Sequence, residues 1–172
     1  MANRRTNDEG PCVFRAPMRP RSIDSGVFEG ARLGTERGVV GIGEPLETIP
    51  DTLDEALALL AKSHGDKAAR MLARLAALPE GSLVWTRTSD DAFRLGRIIG
   101  PWWYDASEAA ERSGIHQVRA TDWIPGDFNS TAAPEAVVNA FQRGGKNFQR
   151  IRSRDTEQIS GRLWQRNRAR VV

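Results

Sequence analysis

Apolar positions along this chain recur with two different periods, and the change falls near residue 80. Between residues 66 and 78, Ala68, Met71, Leu72, Leu75 and Leu78 repeat at helical spacing. Lys67, Arg70 and Arg74 take the opposite side, and Asp66 sits one turn before Arg70. Pro79 and Gly81 stop this helix. A helix over residues 52–62 precedes it, capped by Thr52 or Asp51, with Glu55 completing a capping box. Beyond Gly81 the pattern predicts strands over 82–86, 93–99 and 117–123. In the last of these Val118 and Ala120 share a face opposite Gln117, Arg119 and Thr121. Asp122 then falls on the apolar face and Trp123 on the polar one, unless a bulge resets the register. Residues 12–16, 38–43 (GVVGIG) and 148–151 are further strand candidates. Residues 107–114 form a helical turn, 134–142 a helix opened by Pro134, and 155–170 a final helix with Ile159, Leu163 and Trp164 inward. Residues 18–37, with Pro20, Gly26, Gly30 and Gly34, read as a long loop, and residues 1–11 as disordered. No internal repeat is visible.

At 172 residues the chain is long enough for one real hydrophobic core, expected over residues 12–172. No apolar run approaches the ~20 residues of a membrane span. The polar start, MANRRTNDEG, has no apolar segment behind it and does not read as a secretory signal. A lone Cys12 excludes an internal disulfide and a Cys-rich zinc site, which fits a reducing cytoplasm. The net charge is +3, yet lysine occurs only at positions 62, 67 and 146 and every other basic residue is arginine. A GC-rich genome accounts for arginine in place of lysine but not for its placement. After Gln142 come Arg143, Lys146, Arg150, Arg152, Arg154, Arg162, Arg166, Arg168 and Arg170, against only Asp155 and Glu157. This basic end reads either as a phosphate-contacting surface or as a solvated helix face.

The segment 81–105, GSLVWTRTSDDAFRLGRIIGPWWYD, carries Trp85, Trp102, Trp103 and Tyr104 interleaved with charge. Flat aromatic faces beside guanidinium groups can hold a nucleobase by its π-surface while anchoring phosphates. The plain alternative is that these tryptophans fill a core. Signs of catalysis are missing. The two histidines, His64 and His116, make no HNH motif; His64 before Gly65 reads as a helix end and His116 as structural. No acidic pair with a following lysine trails a strand. Cys12 has no partner base, and no strand–G-x-S-x-G–helix occurs. GVVGIG lacks the Rossmann spacing. A non-enzyme without metal or cofactor is expected.

The order of these motifs resembles the EVE-like members of the PUA superfamily, as found at the N-termini of modification-dependent restriction enzymes. Gly81, Leu83 and Val84, then Leu95, Gly96, Ile98, Gly100, Pro101 and Tyr104, then His116, Val118 and Trp123 carry the resemblance, which spans about residues 38–151. Two positions depart from the pattern. Ser82 stands where an acidic residue is usual, and Glu44 and Pro45 follow Gly-Ile-Gly where a tryptophan is frequent. The resemblance implies an α+β fold, a small, strongly bent PUA-like β-barrel with helices packed against it. It also implies a concave pocket for a modified base, most often a 5-substituted cytosine extruded from duplex DNA. On that reading Trp85, Trp103 and Trp123 are the stacking walls, with Trp102 and Tyr104 behind them. Asp91, Asp90 or Asp122 accepts from cytosine N4, and Thr88 or Ser89 donates to the base. The acids at 90 and 91 also fit a merely solvated hairpin tip. Arg87, Arg94, Arg97 and Arg119 border the pocket, and Arg143, Lys146, Arg150 and Arg152 extend the phosphate contacts. The expected function is a non-catalytic, cytoplasmic reader of DNA carrying 5-methylcytosine, acting in defence or sensing beside a separate nuclease, with no membrane partner. Two other readings stay open: a PUA-like RNA-binding protein, and a protein-interaction adaptor whose tryptophans are all core.

Overall fold

The computed structural model describes residues 11–19, 26–145 and 148–169. The disorder expected for residues 1–10 and the phosphate contact expected of Lys146 lie outside them, as does Arg170. The described residues form an α+β fold with six strands and six helices. The strands are β1 (Val13–Arg15), β2 (Val39–Ile42), β3 (Leu83–Ser89), β4 (Ala92–Tyr104), β5 (Gln117–Trp123) and β6 (Gln149–Arg150). The helices are α1 (Glu29–Arg37), α2 (Leu53–His64), α3 (Asp66–Ala77), α4 (Glu108–Ser113), α5 (Glu135–Gln142) and α6 (Arg154–Arg168). One mixed sheet runs β2-β5-β4-β3-β1-β6, with only β1 and β3 parallel. Strands β2 and β6 remain its two edges. The sheet is therefore not closed, which corrects the expected barrel.

Both faces of the sheet are covered, and strand alternation divides the side chains between them. Phe14, Val84 and Ile98 join a core with α1, α2 and α3. Val13, Leu83, Trp85 and Leu95 join a second core with α5 and α6. Strand β4 serves both halves of the sheet. Its Leu95 opposes Trp85 on β3, and its Gly96 opposes Trp123 on β5. The pairing with β5 shifts between Ile98 and Trp102, where β4 bends. The doublet Trp102–Trp103 and Tyr104 thus belong to a strand, not to the connection after it.

Local chemistry sets the helix ends. Thr52 caps α2, accepting from the Glu55 amide at 3.2 Å, while the Glu55 carboxylate reaches back to the Asp51 amide. The reciprocal box therefore closes one residue upstream of the expected position. Ser107 and Ser153 cap α4 and α6 in the same way. The loop expected over 18–37 contains α1. Its Gly30 and Gly34 let the helix lie on Met18; a β-carbon on Gly30 would stand 1.9 Å from the Met18 carbonyl oxygen. In α6 the inward face is Thr156, Ser160 and Trp164, a quarter-turn from the one centred on Ile159.

Candidate functional site

Trp85 and Trp123 lie on opposite faces of the sheet. Trp85 shares the face of Leu95, where it is fully buried and donates its Nε1–H to Ser160 Oγ at 3.0 Å. Trp123 lies over Gly96, whose added β-carbon would stand 2.5 Å from the indole. Its Nε1–H donates to the Val39 carbonyl. Trp123 keeps the face of Thr121, since both side chains reach Gly96. Trp102 turns inward to donate to Gln117 Oε1, and Trp103 turns outward, 39% exposed. Tyr104 is held by the Leu46 amide, which donates to its hydroxyl at 2.9 Å. The three stacking walls expected from the sequence do not meet in one hollow, because the sheet stands between two of them.

The expected polar partners have structural tasks. Asp91 accepts from the Ser130 amide at 2.7 Å, tying the β3–β4 turn to the loop before α5, and hydrogen bonding by the Ser130 side chain and then its amide holds the carboxyl below its ordinary value. Thr88 donates to the Ala92 carbonyl across the same turn, and Ser89 is exposed. Arg87 donates to the Asp90 carbonyl and lies against the rings of Phe28 and Phe93. Arg94 donates to the Ile124 carbonyl, and Arg97 is exposed beside Gly81. Arg119 is the clearest correction. It is 3% exposed, and its guanidinium donates to the carbonyls of Gly100, Leu75 and Leu78. It satisfies the carbonyls that end α3. His116 is buried too, with Nδ1 at 2.9 Å from the Asp105 carbonyl and its ring stacked on Tyr104.

A cavity of about 320 Å³ opens elsewhere, between the ends of β1 and β2 and the helices α2 and α3. Its walls are Met18, Glu44, His64, Met71 and Phe148, with Arg19 and Lys67 also contributing. Among the described residues the non-glycine positions with positive φ are Met18 (47°) and Glu44 (77°), and both line this cavity. The Glu44 carboxylate meets His64 Nε2 at 3.1 Å, and the Glu44 carbonyl accepts from Gln117 Nε2. Ser63 Oγ donates to the Leu59 carbonyl and lies 2.7 Å from His64 Nδ1. The imidazole thus lies between Ser63 and Glu44. Phe148 stacks on Phe14 at 5.2 Å, making a flat, rigid wall.

The sequence held partial signals for this site: the glycines of GVVGIG, and the replacement of a frequent tryptophan by Glu44. The glycine signal pointed to a close approach, and what approaches Gly41 is β5. An added β-carbon there would stand 2.5 Å from the Gln117 carbonyl oxygen. Trp123 lines a different cavity, of about 410 Å³, with Asp122, Trp164 and Arg168. There Arg168 pairs with Asp122 and lies over the Trp164 ring.

Among the described residues no three His, Cys, Asp or Glu side chains gather as a metal site. Nor is any helix among them long and apolar enough to cross a membrane. No protein-family model matches this chain, and no curated protein matches it.

Proposed function

We propose that this protein is a non-catalytic module that recognises DNA carrying a modified cytosine, 5-methylcytosine foremost, and seats the extruded base in the Glu44 cavity. The observation that carries the reading is the strained backbone of Met18 and Glu44 on two walls of one cavity. Such conformations cost about 1–3 kcal/mol each and collect where a ligand must be met. The volume lies at the small end of the about 300–1,000 Å³ common for ligand sites, which suits one base.

The chemistry is complementary to cytosine. The Glu44 carboxylate accepts from the exocyclic N4 amine, and His64 keeps that carboxylate aimed. Phe148, 1% exposed and stacked on Phe14, adds apolar surface to the wall. Met18 and Met71 close around the 5-substituent with polarizable, adaptable side chains. One enclosed methyl contributes about 0.8 kcal/mol, so discrimination depends on a close fit. Extruding the base costs a few kcal/mol, which stacking and edge hydrogen bonds must offset. Arg19 and Lys67 meet the flanking phosphates. The α+β sheet with helices on its faces is compatible with a PUA-like, EVE-like module. Cleavage, where it follows recognition, comes from a separate nuclease.

A gel-shift panel of plain, 5-methylated and 5-hydroxymethylated duplexes tests the proposal. The unaltered protein should prefer a modified duplex. Glu44→Ala and the cavity-filling Met71→Phe should each erase that preference, while Trp103→Ala should keep it. Equal binding of plain and modified duplexes sinks the reading, and tighter binding of single-stranded RNA replaces DNA by RNA as the partner.

A further inference from the structure

We infer that a third cavity, walled by Arg15, Arg143, Arg150 and Arg152, is a binding site for a phosphoryl group. It has a volume of about 270 Å³ and lies between β1, α5 and the start of α6. This proposal stands apart from base reading, since none of these side chains lines the Glu44 cavity.

The arginines are held by the fold in different ways. Arg15 is 4% exposed on β1, donates to the Ala140 carbonyl and lies against the Phe141 ring. Arg150 sits on β6 and is oriented by Glu157 of α6 at 3.3 Å. Arg143 and Arg152 are exposed and flank the cavity from the end of α5 and the start of α6. Asn139 adds an amide, and Ser153, the cap of α6, brings the positive end of that helix to the same wall. Asp155 and Glu157 lie in the same first turn and temper that field.

Burial, followed by the positive charges of Arg143 and Arg19, pulls the Arg15 pKa below its ordinary value. Like charges are thus gathered around one hollow, a repulsion that a bound anion relieves. Guanidinium groups grip phosphoryl oxygens through paired hydrogen bonds, an advantage over lysine at a fixed site. Arg15 also borders a small cleft with Arg19, and Arg19 in turn reaches the Glu44 cavity. The two cavities are thus linked only through the small cleft that Arg15 and Arg19 share.

The test titrates the full chain with sodium phosphate and with pyrophosphate at constant ionic strength, following Tm. A saturable rise is expected. It should weaken about tenfold or more in Arg143→Gln/Arg152→Gln, two exposed positions whose loss leaves the core intact. Arg97→Gln should match the unaltered protein. Oligonucleotides with a 5′-phosphate or a 5′-hydroxyl identify the source. Preference for the phosphorylated end means a terminal monoester, and equal binding that the double variant weakens means an internal diester. No saturable rise above that given by chloride, or unchanged binding by the double variant, overturns the assignment.

Discussion

Asp105 and Arg119 are charged residues that this fold places indoors, and each is answered by particular partners. Burial alone would raise the Asp105 carboxyl. Ser107, through its side chain and its amide, and the Arg37 guanidinium outweigh it and hold the group below the usual carboxylate range. A depressed folded-state pKa contributes stability that is complete above the unfolded value, about 3.9, and vanishes as pH falls through the folded one. Asp105→Asn should therefore cost about 1–2 kcal/mol near neutral pH, since Arg37 is partly solvated. Urea melts at a series of pH values should show the gap between variant and parent closing below about pH 4. A gap that persists in acid would mean the loss is one of packing. Arg119→Met should cost about 3 kcal/mol, because the carbonyls ending α3 lose their donor inside the protein. Its urea midpoint should fall while affinity for nucleic acid stays level, separating it from a phosphate contact.

At the scale of elements, what could be read locally was read well. The apolar stripe of α3, the cap of α2 and the three central strands all depend on neighbours in sequence. Helix α1 escaped because its glycines resemble a loop until Met18 is seen lying against them. The aromatic site was misjudged for a related reason. When helices cover both faces of a sheet, alternation no longer separates inside from outside, so Gln117, Val118 and Arg119 are all buried in succession. Only the register of β3, β4 and β5 reveals that Trp85 and Trp123 are on opposite sides. Within β4, Gly96 exists to admit the Trp123 ring. Gly96→Ala should overpack that contact by about 1–3 kcal/mol and alter the near-ultraviolet circular dichroism. Gly100→Ala meets the Ala120 β-carbon at a gentler 3.1 Å and should be milder.

For the molecule as a whole, α6 is what finishes the second core. Its Trp164 and Ser160 cover Trp85, and Leu163 packs beside them. A chain ending at residue 153 should unfold without a sharp transition, with tryptophan emission shifted to the red. A cooperative melt with unshifted emission would show that α6 is an accessory. The Glu44 cavity draws its walls from β1, β2, α2, α3 and the segment before β6, and no local window of sequence spans these. That dispersal is why a cavity walled by residues 44, 64, 71 and 148 is hidden in the sequence while the compact tryptophan cluster is conspicuous.

The central position of β1, between β3 and β6, has a consequence for how the chain is made. The ribosome delivers this strand well before β3 and β6, its neighbours on either side, and α6 comes later still. Until then Val13 and Phe14 have nowhere to hide. The earlier strand must wait, greasy and unpaired, for the later ones, and a cell that stalls synthesis between them would hold a product ready to aggregate.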